Sequence, residues 1–105
     1  MKTQQIADIH IFTEAGAFVE NKDLARSWRE NKILPALKSK QKIVLNFSGV
    51  EAVTQSFMHA LISSVIRESG ESALKMIEFK SCNGPVKQII QTVVEYSLSP
   101  EYRGS

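Results

Sequence analysis

Two short polar segments hold the residues whose chemistry could serve a function. The first, TQSF at 54–57, follows an apolar run and precedes a helical pattern, and the second, CNGP at 82–85, is placed in the same way. Each segment is therefore predicted to join the end of a strand to the start of a helix. In parallel α/β sheets such junctions lie at the carboxyl ends of the strands, where ligands and partners usually bind.

The backbone N–H groups that open a helix can bind an anion, or a phosphate carried by a partner. Such a site would use the amides of 55–58 and 83–86, with Ser56, Asn83 and Gly84 as the candidate anion-binding residues. Structural capping of the two helices is the alternative. The sequence leaves both interpretations open.

One pair of residues has the spacing that a nucleophilic enzyme could use. Ser56 and His59 are three residues apart at the predicted helix start, so both side chains could lie on the same side of its first turn. Capping by Ser56 and a surface position for His59 explain this short spacing better. No catalytic residue is expected, and the protein is predicted not to be an enzyme.

Cofactor and metal motifs are absent from the sequence. The five glycines, at 16, 49, 70, 84 and 104, are too scattered for a phosphate-binding loop. Cys82 is the only cysteine, so there is no CxxC pair and no Cys/His cluster for zinc. A thiol near a helix start can be reactive, although such a cysteine more often packs as a small apolar side chain. No cofactor and no metal are expected.

The composition indicates one globular domain over residues 1–105, with an ordered core at about 5–98 and a frayed tail at 99–105. The net charge of +2 comes from 13 basic and 11 acidic residues that are interleaved, so a nucleic-acid partner is not expected. No run approaches the roughly 20 apolar residues of a membrane helix, and the amino terminus lacks the apolar core of a signal peptide. The predicted location is cytoplasmic.

The first half of the chain predicts a strand, a possible second strand and a helix. Apolar alternation indicates a strand at 7–12, and AFVE at 17–20 could form a short second one. Asn21 is a predicted helix N-cap, with apolar residues at near-helical spacing after it. Pro35 predicts a kink, or a second short helix after Ile33.

The second half predicts strands and helices in alternation. A nearly continuous apolar run at 42–47 is typical of a central strand that is covered on both faces. A helix at 56–69, ended by Gly70, precedes a predicted strand at 74–79. The last helix is expected to begin after Asn83 or Gly84. This order predicts a layered α/β domain.

The segment VLNFSGVEAVTQSFMHAL (44–61) resembles the central segment of STAS domains, the fold of bacterial anti-sigma-factor antagonists. The closing NGPVKQIIQTVV (83–94) is similar to the last helix of that family. The pair Ser56-Phe57 resembles most closely a bacterial STAS-like family of uncharacterised function. The resemblance implies a layered α/β fold with a mixed sheet of about four strands and about three helices. It also implies a protein partner, such as a histidine-kinase-like ATPase or another regulator.

The resemblance also locates the position that the antagonists phosphorylate. Aligned without gaps, the family's Asp falls on Thr54 and its phosphoacceptor falls on Gln55, which has no hydroxyl. Ser56 takes the second hydroxyl position, and Phe57 replaces a glycine. Ser56 is thus a possible phosphorylation site only if the register shifts by one residue.

The resulting expectation is a non-catalytic regulatory module that binds a protein partner. Phe57 would be an aromatic anchor if it is exposed, or a core residue if it packs on Ala60 and Leu61. A sensor of small molecules, nucleotides or anions at the two helix starts is the alternative. The oligomeric state is not predicted. The expected partner-binding residues are Thr54, Gln55, Ser56, Phe57 and His59.

Overall fold

The structure, a computed structural model, describes residues 7–99. Its strands are β1 (Ala7–His10), β2 (Phe18–Val19), β3 (Ile43–Asn46), β4 (Ala52–Val53) and β5 (Ile77–Lys80). Its α-helices are α1 (Ile11–Ala15), α2 (Lys22–Trp28), α3 (Leu34–Lys38), α4 (Gln55–Met58), α5 (Ser64–Ser69), α6 (Glu71–Met76) and α7 (Gly84–Leu98). Two π-helical turns, Arg29–Ile33 and His59–Ser63, connect α2 to α3 and α4 to α5.

The strands form two small sheets, and every pairing in them is parallel. The larger sheet has the order β1-β3-β5, and the smaller one pairs β2 with β4. The α/β class and the central position of β3 are confirmed. Instead of one mixed sheet of about four strands, the described residues form two parallel sheets, because β2 and β4 pair with each other outside the larger sheet.

The larger sheet has one apolar face and one polar face. On the apolar face Ile9, Leu45 and Phe79 lie side by side in the register of the three strands. On the other face Val44 lies between Asp8 and Glu78, both of which are exposed. Val44 is nevertheless buried, at 9% exposed, so β3 from Ile43 to Leu45 is covered on both faces, as its apolar run predicts.

Two predicted strands have different boundaries in the structure. The chain leaves β1 at His10 and forms α1, where the amide of Gly16 donates to the carbonyl of Phe12 at 2.9 Å. Residues 71–76 are helical rather than extended, and the last strand begins only at Ile77. Gly70, at φ +62°, ends one helix and starts the next. The predicted tail lies outside the described residues, apart from Ser99.

The first helical stretch begins and is interrupted where the sequence predicts. The Asn21 side chain caps α2 by accepting from the amides of Asp23 at 3.0 Å and Leu24 at 3.1 Å. The predicted break takes the form of the first π-helical turn, after which α3 carries Pro35 in its first turn. Proline has no N–H, so Pro35 cannot donate the backbone hydrogen bond that a continuous α-helix would need at this position. The π-helical turn ends two residues before it, at Ile33.

The two π-helical turns lie against each other, and one side chain bonds across them. The guanidinium of Arg29, in the first turn, donates to the carbonyl of Ala60, in the second, at 2.9 Å. A π turn changes the backbone hydrogen-bond register and can leave a carbonyl without its usual helical donor. Arg29 supplies a donor to one carbonyl of this turn from the neighbouring helix.

The second π-helical turn also shifts the buried face of its helical stretch. The apolar periodicity predicts Ser64 on that face, whereas the structure buries Ser63 completely and leaves Ser64 half-buried. The Ser63 and Ser97 hydroxyl oxygens are 2.9 Å apart, and Ser97 donates to the carbonyl of Val93 at 2.7 Å. This buried pair joins the π-helical turn to the end of α7.

Replacing Arg29 by methionine is expected to destabilise the fold. The substitution keeps an apolar stem but removes the donor to Ala60, and a lost charged hydrogen bond that leaves a partly buried carbonyl unsatisfied costs about 1–3 kcal/mol. The measurement is the free energy of unfolding in urea.

Arg26→Met is the matched control. Arg26 is one turn earlier, its side chain is 58% exposed, and it has only a 3.7 Å ion pair with Asp23. Its loss should change stability by less than about 0.5 kcal/mol. Equal effects of the two substitutions would contradict a specific role for the Arg29–Ala60 bond.

Candidate functional site

The junction between β4 and α4 is organised by Thr54. Its hydroxyl oxygen accepts from the amide of Phe57 at 3.1 Å, and its own amide donates to the carbonyl of Val19 at 2.9 Å. The helix therefore begins at Gln55, and Thr54 is its N-cap. The interpretation that Ser56 caps this helix is wrong, because Thr54, two residues earlier, is the N-cap.

Gln55 and Ser56 are consequently exposed on the first turn of α4. They line an open groove of about 570 Å³, here called the Ser56 groove. Its other lining residues are Lys22, His59, Ala60 and Tyr96. Three helical stretches that are distant in sequence thus meet at the predicted site: the start of α2, the α4 junction and the end of α7.

Phe57 does not belong to this surface. Its side chain is 0% exposed, and its ring packs edge-on against Trp28 with the centroids 6.3 Å apart. Of the two roles predicted for Phe57, the structure supports core packing, so the anchor role is corrected. Other aromatic side chains reach solvent near the junction: Tyr96 is 49% exposed, and Phe18, on the strand beside β4, is 69% exposed.

His59 lies half-buried in the groove, with its ring centroid 6.1 Å from that of Tyr96. Ser56 and His59 therefore share one surface, as their spacing predicts. None of the six lining side chains is a carboxylate. Chemically, the groove offers a hydroxyl, an amide, an imidazole, a phenol and one ammonium group. These are groups suited to polar recognition around an aromatic ring.

Asn83, at the second junction, is committed to structural hydrogen bonds. Its side-chain oxygen accepts from the amide of Val86 at 2.9 Å and so caps α7. Its side-chain nitrogen donates to the carbonyls of Glu51 at 3.0 Å and Val50 at 3.3 Å. The predicted capping role is confirmed, and the same side chain also fixes the loop before β4.

Residues of the second junction do not line the Ser56 groove. The Ser56 groove includes Tyr96 near the end of α7, whereas Gly84 is the first residue of that helix. A rise of 1.5 Å per residue places these two α7 positions about 18 Å apart along the helix axis. Neither Asn83 nor Gly84 is among the lining residues of the Ser56 groove.

Cys82 lies half-buried just before α7, and its sulfur is 3.9 Å from the carbonyl oxygen of Lys80. Burial raises the pKa of its thiol above the usual value, and the positive charge of Lys87 partly opposes this shift. A raised pKa lowers the thiolate fraction at neutral pH. This environment corresponds to the packing interpretation of Cys82 rather than to a reactive thiol.

Within residues 7–99 two kinds of feature are absent. No cluster of three or more His, Cys, Asp or Glu side chains in this part of the chain could hold a metal ion. Over the same residues no helix combines the length and the apolar character needed to cross a membrane.

Sequence reasoning missed Lys22, Phe18 and Tyr96. Lys22 follows the predicted cap Asn21, but no local motif indicates which junction its side chain approaches. Tyr96 falls outside the apolar stripe of α7, which ends at Val94 in the sequence pattern. The position of Tyr96 outside this apolar stripe is the one feature of the sequence that could have predicted its exposure.

Asn83→Asp should separate the two tasks of the Asn83 side chain. Aspartate still caps the helix, but its carboxylate cannot donate to Val50 and Glu51 and places an oxygen beside their carbonyls. The expected loss in the free energy of unfolding is about 1–2 kcal/mol. Thermal or urea unfolding measures it.

The same substitution at Asn21 is the control. The Asn21 side chain only accepts hydrogen bonds from its helix, so Asn21→Asp keeps every one of them. It should be neutral within about 0.5 kcal/mol, because Asn and Asp cap equally well. Matching losses at both positions would show that the tie to residues 50 and 51 contributes nothing.

Comparison with known proteins gives one result. The model of the family described as STAS-like domain of unknown function (DUF4325) matches residues 29–87, more than half of the chain. No curated protein and no solved structure was matched. The match spans both π-helical turns, β3 to β5 and the whole TQSF junction, while Lys22 and Tyr96 lie outside it. The chain therefore belongs to the STAS-like family DUF4325.

Proposed function

We propose that this chain is a non-catalytic cytoplasmic regulatory module that binds a protein partner through the Ser56 groove. The observation that carries the proposal is the exposed, polar start of α4 beside Tyr96, in a domain of the STAS-like family. The partner would be a histidine-kinase-like ATPase domain or a related regulator, as the resemblance to anti-sigma-factor antagonists implies.

The residues of the groove support protein docking. Tyr96 combines a large apolar ring with a polar hydroxyl, and tyrosine is among the residues that most often dominate binding energy in interfaces. The polar side chains of Gln55, Ser56 and Lys22 line the same groove and can form the hydrogen-bonded rim of a contact. In this proposal Tyr96 takes the anchor role that the sequence suggests for Phe57.

A sensor of nucleotides or other anions is the weaker alternative. It would join Ser56 with Asn83 and Gly84, yet the Asn83 side chain already makes three hydrogen bonds within the fold. Neither Asn83 nor Gly84 lines the Ser56 groove. Protein docking at the Ser56 groove requires neither Asn83 nor Gly84, and we therefore favour docking over the sensor.

Regulation by phosphorylation would fall on Ser56. Gln55 has no hydroxyl, whereas the Ser56 side chain is exposed near the start of α4 and lines a groove that includes Lys22. A phosphate near a helix start and a lysine is electrostatically favourable. Mass spectrometry of the chain isolated from its host would detect phosphate on Ser56 or Thr54.

Tyr96→Ala and Gln55→Arg should each weaken partner binding. The partner is first captured with the wild-type chain, identified and purified, and the dissociation constants are then measured by calorimetry. A hot-spot loss of about 2 kcal/mol corresponds to a roughly 30-fold higher Kd for Tyr96→Ala. Gln55→Arg should act by placing a longer, positively charged side chain in the groove, which already contains Lys22.

Two matched variants control for general surface effects. Phe12 is 47% exposed, close to the exposure of Tyr96, and does not line the groove, so Phe12→Ala should leave Kd unchanged. Gln88→Arg repeats the glutamine substitution on an exposed position of α7 outside the groove. If Tyr96→Ala and Gln55→Arg bind the partner as tightly as these controls, docking at the Ser56 groove is refuted.

A further inference from the structure

A second groove, of about 750 Å³, runs along the other side of α7 beside the edge strand β5; it is here called the α7 groove. Its apolar wall consists of Leu74 from α6, Phe79 from β5, and Ile90 and Val94 from α7. Ile90 and Val94 are four residues apart and so lie on one face of the helix. Leu74, Phe79 and Val94 are only half-buried, so apolar surface remains available.

The polar part of the α7 groove carries one charge. Lys87 and Gln91, also four residues apart, line it together with Ser81 and Cys82. Lys87 is exposed and forms no ion pair with any described side chain, and the groove contains no carboxylate. The lining itself therefore carries one positive charge next to its apolar wall, and the nearby carboxylate of Glu95, which accepts from Gln91 Nε2 at 3.3 Å, lies outside the lining.

This combination fits a small ligand better than a protein strand. Sites for small molecules usually measure about 300–1,000 Å³ and combine apolar walls with a few converging polar groups. The β5 edge is four residues long and carries exposed Glu78 and Lys80, and short, charged edges disfavour pairing with another strand. An apolar acid would match both the wall and the lysine.

We propose that the α7 groove binds a small amphipathic carboxylic acid. Its carboxylate pairs with the ammonium of Lys87 and accepts from the second N–H of the Gln91 side-chain amide, whose nitrogen also donates to Glu95 Oε2 at 3.3 Å. Its hydrocarbon body lies along Phe79, Ile90 and Val94. The distance from Lys87 to Val94 along the helix axis is about 10 Å, the reach of a medium-length chain.

This site is independent of the proposed protein docking. Val94 and Tyr96 are two residues apart, which places them about 200° apart around the helix. None of the residues that line the α7 groove lines the Ser56 groove. A failed test of one groove therefore leaves the other unaffected.

The single cysteine allows occupancy of the groove to be measured without introducing a new probe residue. Cys82 lines the groove, and an occupant should slow its alkylation by iodoacetamide, an uncharged reagent. The reaction is followed by mass spectrometry at about pH 8.5, near the unperturbed pKa of cysteine, because burial raises the pKa of this thiol. The probe is octanoate below its micelle concentration, compared with octylamine and octanol.

Octanoate should slow the alkylation about tenfold at a concentration of roughly ten times its Kd, by mass action, and should raise the melting temperature. Octylamine, which Lys87 repels, should do neither, and octanol should act only weakly. Lys87→Gln should abolish the protection by octanoate, measured as the ratio of rates with and without ligand. Lys75→Gln, the same change at an exposed lysine outside the groove, should retain it.

Three outcomes would overturn the proposal. One is equal protection by octanoate, octylamine and octanol, which would mean adsorption without recognition of charge. A second is the absence of both protection and thermal shift up to millimolar octanoate. A third is protection of Cys82 that grows with protein concentration, together with a doubled mass in light scattering, which would assign the groove to a second copy of the chain.

Discussion

The burial of one helical face after β4 determines which residues of the junction can meet a partner. Phe57, Met58 and Leu61 are fully buried, and Phe57 packs against Trp28 of the neighbouring helix. A rotation of this helix that exposed Phe57 would remove a large aromatic side chain from the core, at a cost of several kcal/mol. Because these side chains fix the rotation, Gln55 and Ser56 must point to solvent. The surface chemistry of the junction is thus a consequence of core packing.

The two π-helical turns allow the helical stretch after β4 to keep its buried face while its first residue is fixed by the Thr54 cap. Thr54 fixes where the helix begins, while the residues that follow must present a continuous buried face to the sheet and to α7. The π-helical turn at His59–Ser63 adjusts the register, burying Ser63 and leaving Ala60 beside the groove. Arg29 then bonds the Ala60 carbonyl from the opposite π-helical turn. Two local departures from α-helical geometry therefore support each other, as in the π turns that accompany functional sites in other proteins.

Local signals in the sequence predicted the parts of the fold that depend on neighbours along the chain. Asn21 and Asn83 are caps because their side chains accept hydrogen bonds from amides two or three residues ahead. Pro35 follows the end of a π-helical turn, because proline has no backbone N–H to continue the regular helical hydrogen bonds. The boundary at Ile77 and the separate pairing of β2 with β4 depend on contacts between distant segments, which no local pattern contains. The same limit applies to the site. The junction at Thr54–Ser56 was recognisable, but the approach of Lys22 and Tyr96 follows only from tertiary packing.

Helix α7 is held at both ends against the segment that forms the Ser56 groove. At its start Asn83 bonds the carbonyls of Val50 and Glu51, and near its end the Ser97 hydroxyl bonds that of Ser63. Tyr96 directly precedes Ser97, so its backbone cannot move far from the π-helical turn without breaking a buried hydrogen bond. A partner that docks there would therefore meet a largely preformed surface, with little ordering entropy to offset its contacts. A ligand in the α7 groove contacts the opposite face of the same fixed helix, and it could alter Tyr96 only by shifting α7 as a whole.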